Sequence, residues 1–229
     1  IDIGMVYGAK GDHLTAINYY NKALNIYKKT YSEDNLETAA CYFSIGVENY
    51  YAGKYEDAFY NCSKSLEIRK KISGEYDYDV ANTIISLASI YSDYQMFDDA
   101  LDLFEYADKI LTELNANFYS SYYAILYNQL GCLYYAKSDY PKALDNWKKA
   151  LDINLKLYGN TENTGVAYSN IGQVYQGMGD HSRAIANYEA ANSIFIKLFG
   201  NVHPRIATTN KALGKLYISQ GDYDSAFKM

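Results

Sequence analysis

Residues 127–150 read YNQLGCLYYAKSDYPKALDNWKKA. The pair Leu130–Gly131 has an aromatic residue three positions before the leucine and another three positions after the glycine. An alanine and a further aromatic residue follow, at Ala143 and Trp147. Residues three or four positions apart lie on one face of a helix, so this spacing is typical of two antiparallel helices that approach closely at the glycine.

The same pattern recurs along the whole chain. The position of Gly131, which we call the small-residue column, is occupied in six copies by Gly4, Gly46, Ala88, Gly131, Gly172 and Gly214, at spacings of 42, 42, 43, 41 and 42 residues. An alanine stands twelve positions later in every copy, at Ala16, Ala58, Ala100, Ala143, Ala184 and Ala226. Self-similarity at a fixed period indicates a repeat protein. We expect a single array over residues 1–229, with truncated first and last copies, as a fragment of a longer chain.

These columns resemble the tetratricopeptide motif, W-x₂-L-G-x₂-Y…A-x₃-F. In the fourth copy the motif positions are held by Tyr127, Leu130–Gly131, Tyr134, Ala143 and Trp147. The resemblance implies an all-α fold, a right-handed superhelical α-solenoid built from helix-turn-helix repeats. It also implies a protein that binds other proteins.

The repeat is longer than the common 34-residue form because its second helix lacks a stop. The proline of that form is replaced by Lys28, Lys70, Thr112, Leu155 and Ile196. We therefore expect the second helix to run about one or two turns further, to Gly74, Gly159 and Gly200, which suit a left-handed C-terminal cap. Pro141 and Pro204 are expected at helix starts, where a missing N–H is tolerated.

A repeat of 42 residues resembles those of kinesin light chain. Residues 198–207, LFGNVHPRIA, are similar to the Gly-x-x-His-Pro-x-x-Ala linker of that family, and residues 55–58 and 79–81 also look like its pattern. Kinesin light chain holds acidic, tryptophan-containing cargo peptides with asparagines of its groove. Asn170 matches that asparagine column, which Ser44, Ser86, Gln129 and Ala212 occupy in other copies.

Composition excludes several classes of protein. A net charge of −6 and a pI near 5.1 argue against nucleic acid as the main partner. The chain is too hydrophobic, at 49%, for a disordered tail, yet no stretch approaches the roughly 18 apolar residues of a membrane helix. We expect no nucleic-acid binding and no membrane insertion.

Cysteine usage and charge distribution add two further indications. Cys41, Cys62 and Cys132 are scattered and form no Cys-x-x-Cys pair, which favours a reducing, cytoplasmic environment over disulfides or zinc. Residues 1–114 carry 10 Lys and Arg against 19 Asp and Glu, a net charge of −9, whereas residues 115–229 carry 11 against 8, a net of +3.

Catalysis has little support in the sequence. His13 and His181 occupy the same repeat position at the start of a second helix, and His203 lies in a linker. No P-loop, Gly-x-Gly-x-x-Gly or His-Glu-x-x-His motif is present. The alternating acids of residues 75–79 lack the glycine and distal glutamate of a calcium loop and are expected at a helix N-terminus. We expect no enzyme, no cofactor and no metal site.

The first helices of a solenoid line its concave surface, where partners usually bind. Helical periodicity, together with the arrangement that the resemblance implies, predicts a peptide-binding groove that runs from an aromatic end, over amides and hydroxyls, to a basic end. Its predicted residues are Phe43, Tyr50, Tyr51, Asn82, Ser86, Asn128, Gln129, Tyr135, Asn170, Gln173, Lys211 and Lys215. Amides can bind the backbone of an extended peptide, and two lysines one turn apart suit a carboxylate. The alternative is a solvated helix face that merely tolerates polar residues.

The leading hypothesis is therefore a scaffold or adaptor that binds an extended peptide or a partner surface, with a cargo-adaptor role as the resemblance to kinesin light chain implies. One alternative is a regulatory or sensor array attached to an NTPase or kinase elsewhere in the parent chain. Another is a self-assembling scaffold, because apolar ends would stack end to end. The acidic face at Asp98, Asp99, Asp102, Glu105 and Asp108 is interpreted as solvated surface.

Overall fold

The computed structural model describes residues 1–31 and 33–229. Within these ranges the only regular elements are helices, which confirms the predicted all-α class. The helices are α1 (Asp2–Ala9), α2 (His13–Thr30), α3 (Leu36–Tyr51), α4 (Tyr55–Ser73), α5 (Tyr78–Asp93), α6 (Phe97–Glu113), α7 (Ser121–Ala136), α8 (Tyr140–Tyr158), α9 (Glu162–Gly177), α10 (His181–Phe199), α11 (Pro204–Ser219) and α12 (Tyr223–Phe227). Odd-numbered helices are the first helices of the repeats and even-numbered helices are the second.

The described chain divides into two compact units. Unit 1 covers Ile1–Ala116 and contains α1–α6, and unit 2 covers Asn117–Met229 and contains α7–α12. In each unit a helix packs on the next one along the chain, so contacts are local in sequence. The single array over residues 1–229 stays a prediction.

The small-residue column explains why paired helices approach so closely. In the fourth copy Gly131 lies against the buried ring of Trp147, and a Cβ added to Gly131 would be only 2.5 Å from that ring. The indole Nε1 donates a hydrogen bond of 3.1 Å to the carbonyl of Asn128. A glycine on one helix therefore admits a large ring from its partner, which is why both residue types recur at fixed spacing.

The turn between the two helices of a repeat has a recurrent construction. Its central residue has a positive φ in all six copies, at Gly11, Gly53, Gln95, Ser138, Gly179 and Gly221. The next residue is the N-cap of the second helix, and in four copies an aspartate there accepts a backbone hydrogen bond, at Asp12, Asp139, Asp180 and Asp222. Lys54 and Met96 hold this position in the other two copies and make no side-chain cap.

The second helices are extended as the missing proline predicts, and α4, α8 and α10 each run for 19 residues. They end at Gly74, Gly159 and Gly200, with φ of 84°, 67° and 77°. The predicted left-handed cap is wrong in detail, because ψ is −175°, −141° and −175°, in a region that essentially only glycine populates. Pro141 and Pro204 lie in the first turns of α8 and α11, as expected.

Candidate functional site

Unit 2 contains a cavity of about 360 Å³ formed by α9, α10 and α11, which we call the α9–α11 groove. Four predicted groove residues line it: Asn170 and Gln173 from α9, and Lys211 and Lys215 from α11. The remaining lining residues are Val166, Ser169, Gln176, Tyr188, Phe195, Arg205, Thr208 and Ala212. The groove thus brings together residues that are about 40 positions apart in sequence, and two of them, Gln173 and Lys215, are equivalent in the repeat.

The floor of the groove is aromatic and comes from α10. Phe195 is buried, and it can lie there because α9 has Gly165 opposite, where a Cβ would be 2.5 Å from the ring. Tyr188 is also buried, and its hydroxyl donates a hydrogen bond of 2.9 Å to Oε1 of Gln176. Burial raises the pKa of Tyr188 to about 12.

One wall of the groove offers unpartnered amides. Asn170 and Gln173 are three residues apart on α9 and therefore lie on one helix face. Throughout residues 1–31 and 33–229, no side chain or backbone group forms a hydrogen bond with either amide. Each amide can donate and accept at the same time, which matches the alternating groups of a peptide backbone.

The α11 wall of the groove is basic. Lys211 and Lys215 lie one turn apart on α11, are exposed, and form no ion pair with any residue that the structure describes. Arg205 is already engaged, since its Nε lies 2.5 Å from Oε1 of Glu162 and its guanidinium lies 5.9 Å from the ring centre of Phe195. The two lysines are therefore the cations of this wall that remain available to an anionic group.

The other predicted residues of unit 2 lie on α7 and do not line the α9–α11 groove. Tyr135 packs 5.7 Å from the ring of Trp147 and 5.6 Å from that of Tyr140, and burial raises its pKa. Asn128 and Gln129 are half-buried in the same helix. Their role in binding stays a prediction.

In unit 1 the predicted aromatic end divides into two places. Phe43 is half-buried beneath the guanidinium of Arg69, at 4.8 Å from the ring centre. Tyr50 and Tyr51 lie at the end of α3, where Tyr51 stacks on His13 at 5.7 Å and Tyr50 contacts Tyr55 at 5.8 Å. These tyrosines belong to the turn edge of the repeat rather than to the surroundings of Phe43.

The predicted polar residues of α5 are Asn82 and Ser86, and both are half-buried. The Ser86 hydroxyl donates to the carbonyl of Asn82 at 3.1 Å. The Ser86 hydroxyl proton is therefore already donated within α5 and would have to leave that bond to reach a ligand.

Tyr188 and Phe195 were missed because they lie on a second helix, whereas only first helices were expected to line the groove. Arg205 was missed because it falls within the linker motif of residues 198–207. The two aromatic residues are seven positions apart on α10, a spacing that places them on one face. That spacing, together with the glycine at 165 opposite, was the available indication of a floor.

The histidines have structural partners. Nδ1 of His13 lies 2.8 Å from Oε2 of buried Glu48, and a Cβ at Gly8 would overlap the Glu48 carboxylate. Glu48 is exceptional, since its repeat position carries an aliphatic residue elsewhere, at Val6, Ile90, Leu133, Val174 and Leu216. His203 caps α11 by accepting from the N–H of Arg205.

The described residues form neither a metal-binding cluster nor a membrane-spanning helix. Among residues 1–31 and 33–229, no three or more His, Cys, Asp and Glu side chains are placed to hold a metal ion. In the same ranges, no helix combines the length and apolar character needed to cross a bilayer.

Comparisons with known proteins agree with this architecture. The tetratricopeptide repeat family model matches residues 1–61, 47–110, 122–194 and 166–229. The chain is 29% identical over 150 residues to Protein KINESIN LIGHT CHAIN-RELATED 2 of Arabidopsis thaliana, which covers 65% of this chain and 22% of that protein. It spans only 12% and 22% of the lengths of the curated relatives that it matches.

Two solved structures show the same fold. BtubC (BKLC) from P. vanneervenii has a TM-score of 0.76 at 22% identity, with 93% of this chain and 85% of that chain covered. A Rap protein in complex with competence and sporulation factor has a TM-score of 0.75 at 17% identity, with coverages of 97% and 70%. The likeness shows an α-α superhelix of helix-turn-helix repeats.

Proposed function

Because the chain belongs to the tetratricopeptide repeat family, we propose that the α9–α11 groove binds an extended peptide segment of a protein partner. The observation that carries the proposal is the pairing of two walls, with unpartnered amides on α9 and unpaired lysines on α11, over a buried aromatic floor.

Each part of the groove suits one part of a peptide. The amides of Asn170 and Gln173 bind a backbone N–H and C=O, which gives affinity with little sequence preference. Val166 and Phe195 accept an apolar side chain, and Lys211 with Lys215 binds a carboxylate. Binding of this kind makes and breaks no covalent bond, so we propose a scaffold or adaptor rather than an enzyme.

Likeness to known proteins supports the proposal. A Rap protein of the same fold was solved with competence and sporulation factor bound, and a relative by sequence is named kinesin light chain-related. We propose a cargo-adaptor role on this basis. The contributions of Phe43, Asn82 and Asn128 to binding remain predictions, as does attachment of the array to an enzyme.

Peptide-array screening followed by isothermal titration with the selected peptide tests the groove. The double variant Asn170→Ala/Gln173→Ala and the double variant Lys211→Ala/Lys215→Ala should each weaken binding about tenfold, because each removes one or two hydrogen bonds to the ligand. Lys148→Ala/Lys197→Ala is the matched control, since these exposed lysines lie outside the groove. Unchanged binding by both groove variants, with helicity retained, would show that the peptide binds elsewhere.

We propose self-association as a second function, because the terminal helices expose apolar side chains. On α1 these are Ile3, Met5 and Val6, and on α12 Phe227 is 94% exposed. In a repeat array, apolar surface on an end helix is covered by a further repeat or by a second copy of the chain. Sedimentation velocity at increasing concentration should show association that Ile3→Ser/Val6→Ser removes. A constant monomeric mass at all concentrations would contradict it.

A further inference from the structure

Unit 1 has a cavity of its own at the turn between α5 and α6, beside the first turn of α4. We call it the edge pocket, and its volume is about 330 Å³. Its lining residues are Glu56, Phe59, Ile90, Tyr91, Tyr94 and Met96. None of these residues belongs to the predicted groove or to the α9–α11 groove.

The walls of the edge pocket are held in place but not covered. Ile90 forms a buried floor, Phe59 meets Tyr91 edge-on at 5.8 Å, and Tyr94 meets Tyr55 at 5.9 Å. Nevertheless Phe59, Tyr94 and Met96 remain 40%, 47% and 45% exposed. The pocket is therefore preformed, and its apolar walls face solvent.

The turn residues at this pocket depart from the repeat pattern, and the departures at Gln95 and Met96 destabilise the turn. Met96 is the N-cap of α6, where four other copies have a capping aspartate, and losing such a cap destabilises a helix. Gln95 has a φ of 61°, where four copies have glycine. Tyr94 stands where other copies carry Lys10, Ala52, Lys137, Met178 and Gln220. These three consecutive departures weaken the turn and, at Tyr94 and Met96, expose apolar surface, which points to a binding role.

Charges in the segments that form the pocket are mainly acidic, although Glu56 alone of them lines it. Glu56 and Asp57 lie in the first turn of α4, Asp93 precedes Tyr94, and Asp99 lies in the first turn of α6. Each of these four carboxylates is exposed, and none forms an ion pair within the ranges that the structure describes. Lys54 is the cation beside them, in an adjoining cavity that shares Glu56 and Tyr94 with the edge pocket. At the repeat position of Asp57 and Asp99, unit 2 has Lys142, Arg183 and Ser225, none of which is acidic.

We propose that the edge pocket docks a segment of a partner protein in which a large apolar side chain is flanked by lysine or arginine residues. The apolar side chain enters between Phe59 and Met96 and covers their exposed surface. The flanking cations lie against the carboxylates of the rim and the open face of Tyr94. The site is independent of the α9–α11 groove and does not rest on the function proposed for it.

A fluorescein-labelled peptide with the sequence Lys-Lys-Leu-Phe-Lys-Lys, titrated with the whole chain and followed by fluorescence anisotropy, tests this site. Met96→Ser should weaken binding about tenfold, since it removes one apolar wall. Serine also restores a helix cap, so the variant should unfold at a higher temperature than the wild type. Loss of binding then cannot be attributed to loss of folding. Met178→Ser is the matched control, because Met178 is equally exposed in a turn of unit 2.

Further variants and a second peptide test the chemistry of recognition. Tyr94→Lys introduces the residue that two other copies carry at this position and should abolish binding. The peptide Glu-Glu-Leu-Phe-Glu-Glu should bind at least tenfold more weakly than the lysine peptide at low salt, and the difference should shrink at high salt. Lys211→Ala/Lys215→Ala should leave the affinity for the lysine peptide unchanged.

The proposal is overturned if Met96→Ser and the wild type bind the lysine peptide equally, or if Met178→Ser weakens binding as much as Met96→Ser does. It is also overturned if both peptides bind with the same affinity, because the acidic rim would then have no part in recognition. Weaker binding of the lysine peptide by the Lys211→Ala/Lys215→Ala variant would place it in the other groove and would likewise overturn the assignment.

Discussion

A single methyl group added at Gly131 tests how the paired helices of a repeat are held together. A Cβ at this position lies 2.5 Å from Cδ1 and Nε1 of Trp147, whereas carbon atoms in contact are normally about 3.5–4.0 Å apart. Trp147 has little freedom to move, because it is buried, its Nε1 donates to the Asn128 carbonyl, and its ring packs on Tyr135. Either the indole or the whole helix α8 must shift.

The size of the effect follows from three contributions to the free energy of unfolding. Overpacking of this kind costs about 1–3 kcal/mol. Displacement of the indole from its hydrogen bond costs about 1 kcal/mol more. The better helix propensity of alanine offsets about 1 kcal/mol. We therefore expect Gly131→Ala to lower the free energy of unfolding by about 1–3 kcal/mol.

The same column supplies graded controls within unit 2. A Cβ at Gly172 lies 3.1 Å from Cδ1 of Tyr188, and one at Gly214 has its nearest neighbour at 3.9 Å, the Cβ of Met229. Gly172→Ala should be nearly neutral, and Gly214→Ala should stabilise by up to about 1 kcal/mol because only the propensity changes. Urea unfolding followed by far-UV circular dichroism measures all three variants, and the fluorescence of Trp147, the single tryptophan, reports the displaced ring. A different order of stabilities, or an unchanged emission spectrum for Gly131→Ala, would refute the reasoning.

Three other predictions concern single positions. Ser65→Ala should raise the free energy of unfolding by about 1 kcal/mol, because the Ser65 hydroxyl is buried without a hydrogen-bond partner among the described residues. Ser138→Gly should stabilise by about 0.5–1 kcal/mol, since Ser138 has a φ of 60° at a position that is glycine in four copies. Burial raises the pKa of the Cys62 thiol to about 12, which leaves little reactive thiolate at neutral pH. Iodoacetamide should therefore label exposed Cys132 and leave Cys62 unmodified until the chain unfolds. Peptide mass spectrometry measures both labelling rates.

Each of these predictions has its own contrary outcome. The other copies carry Ala23, Ala107, Ala150 and Ala191 at the position of Ser65, so a lower melting temperature for Ser65→Ala would mean that its hydroxyl has a partner after all. Ser138→Ala should not stabilise, because alanine keeps the strain of a positive φ, and an equal gain from alanine and glycine would exclude that explanation. Equal labelling rates for Cys62 and Cys132 would show that α4 opens readily.

The fold could be predicted because its packing is local and repeated. Gly131 and Trp147 contact each other across one turn, and each of the other copies repeats the small-residue column. The conformation of Gly74 could be predicted only in part, since the sequence shows the need for a positive φ but carries no information on ψ. A glycine satisfies several backbone conformations equally well.

The groove residues that lie on first helices could be predicted from helical periodicity and the tetratricopeptide arrangement. Asn170 and Lys215 were identified in this way, and the structure places both at one cavity. Phe195 was missed because it lies on a second helix, although its seven-residue spacing from Tyr188 and the glycine at position 165 indicated its place. The edge pocket was missed for another reason: Met96 is exceptional only once the N-cap position of each repeat is known.

The pair formed by buried Glu48 and half-buried His13 fixes which copy can precede the second repeat. Repeats of one design could in principle stack in any order, because their apolar columns are alike. The Glu48 carboxylate needs the space at Gly8 and the ring of His13, and His181 cannot replace that pair because Gln176 occupies the position of Gly8 in its copy. An exchange of neighbours would leave a buried carboxylate without its hydrogen bond, at a cost of about 1–3 kcal/mol or more. One polar contact therefore specifies which repeat packs before the second one, whereas the apolar columns alone would accept any neighbour.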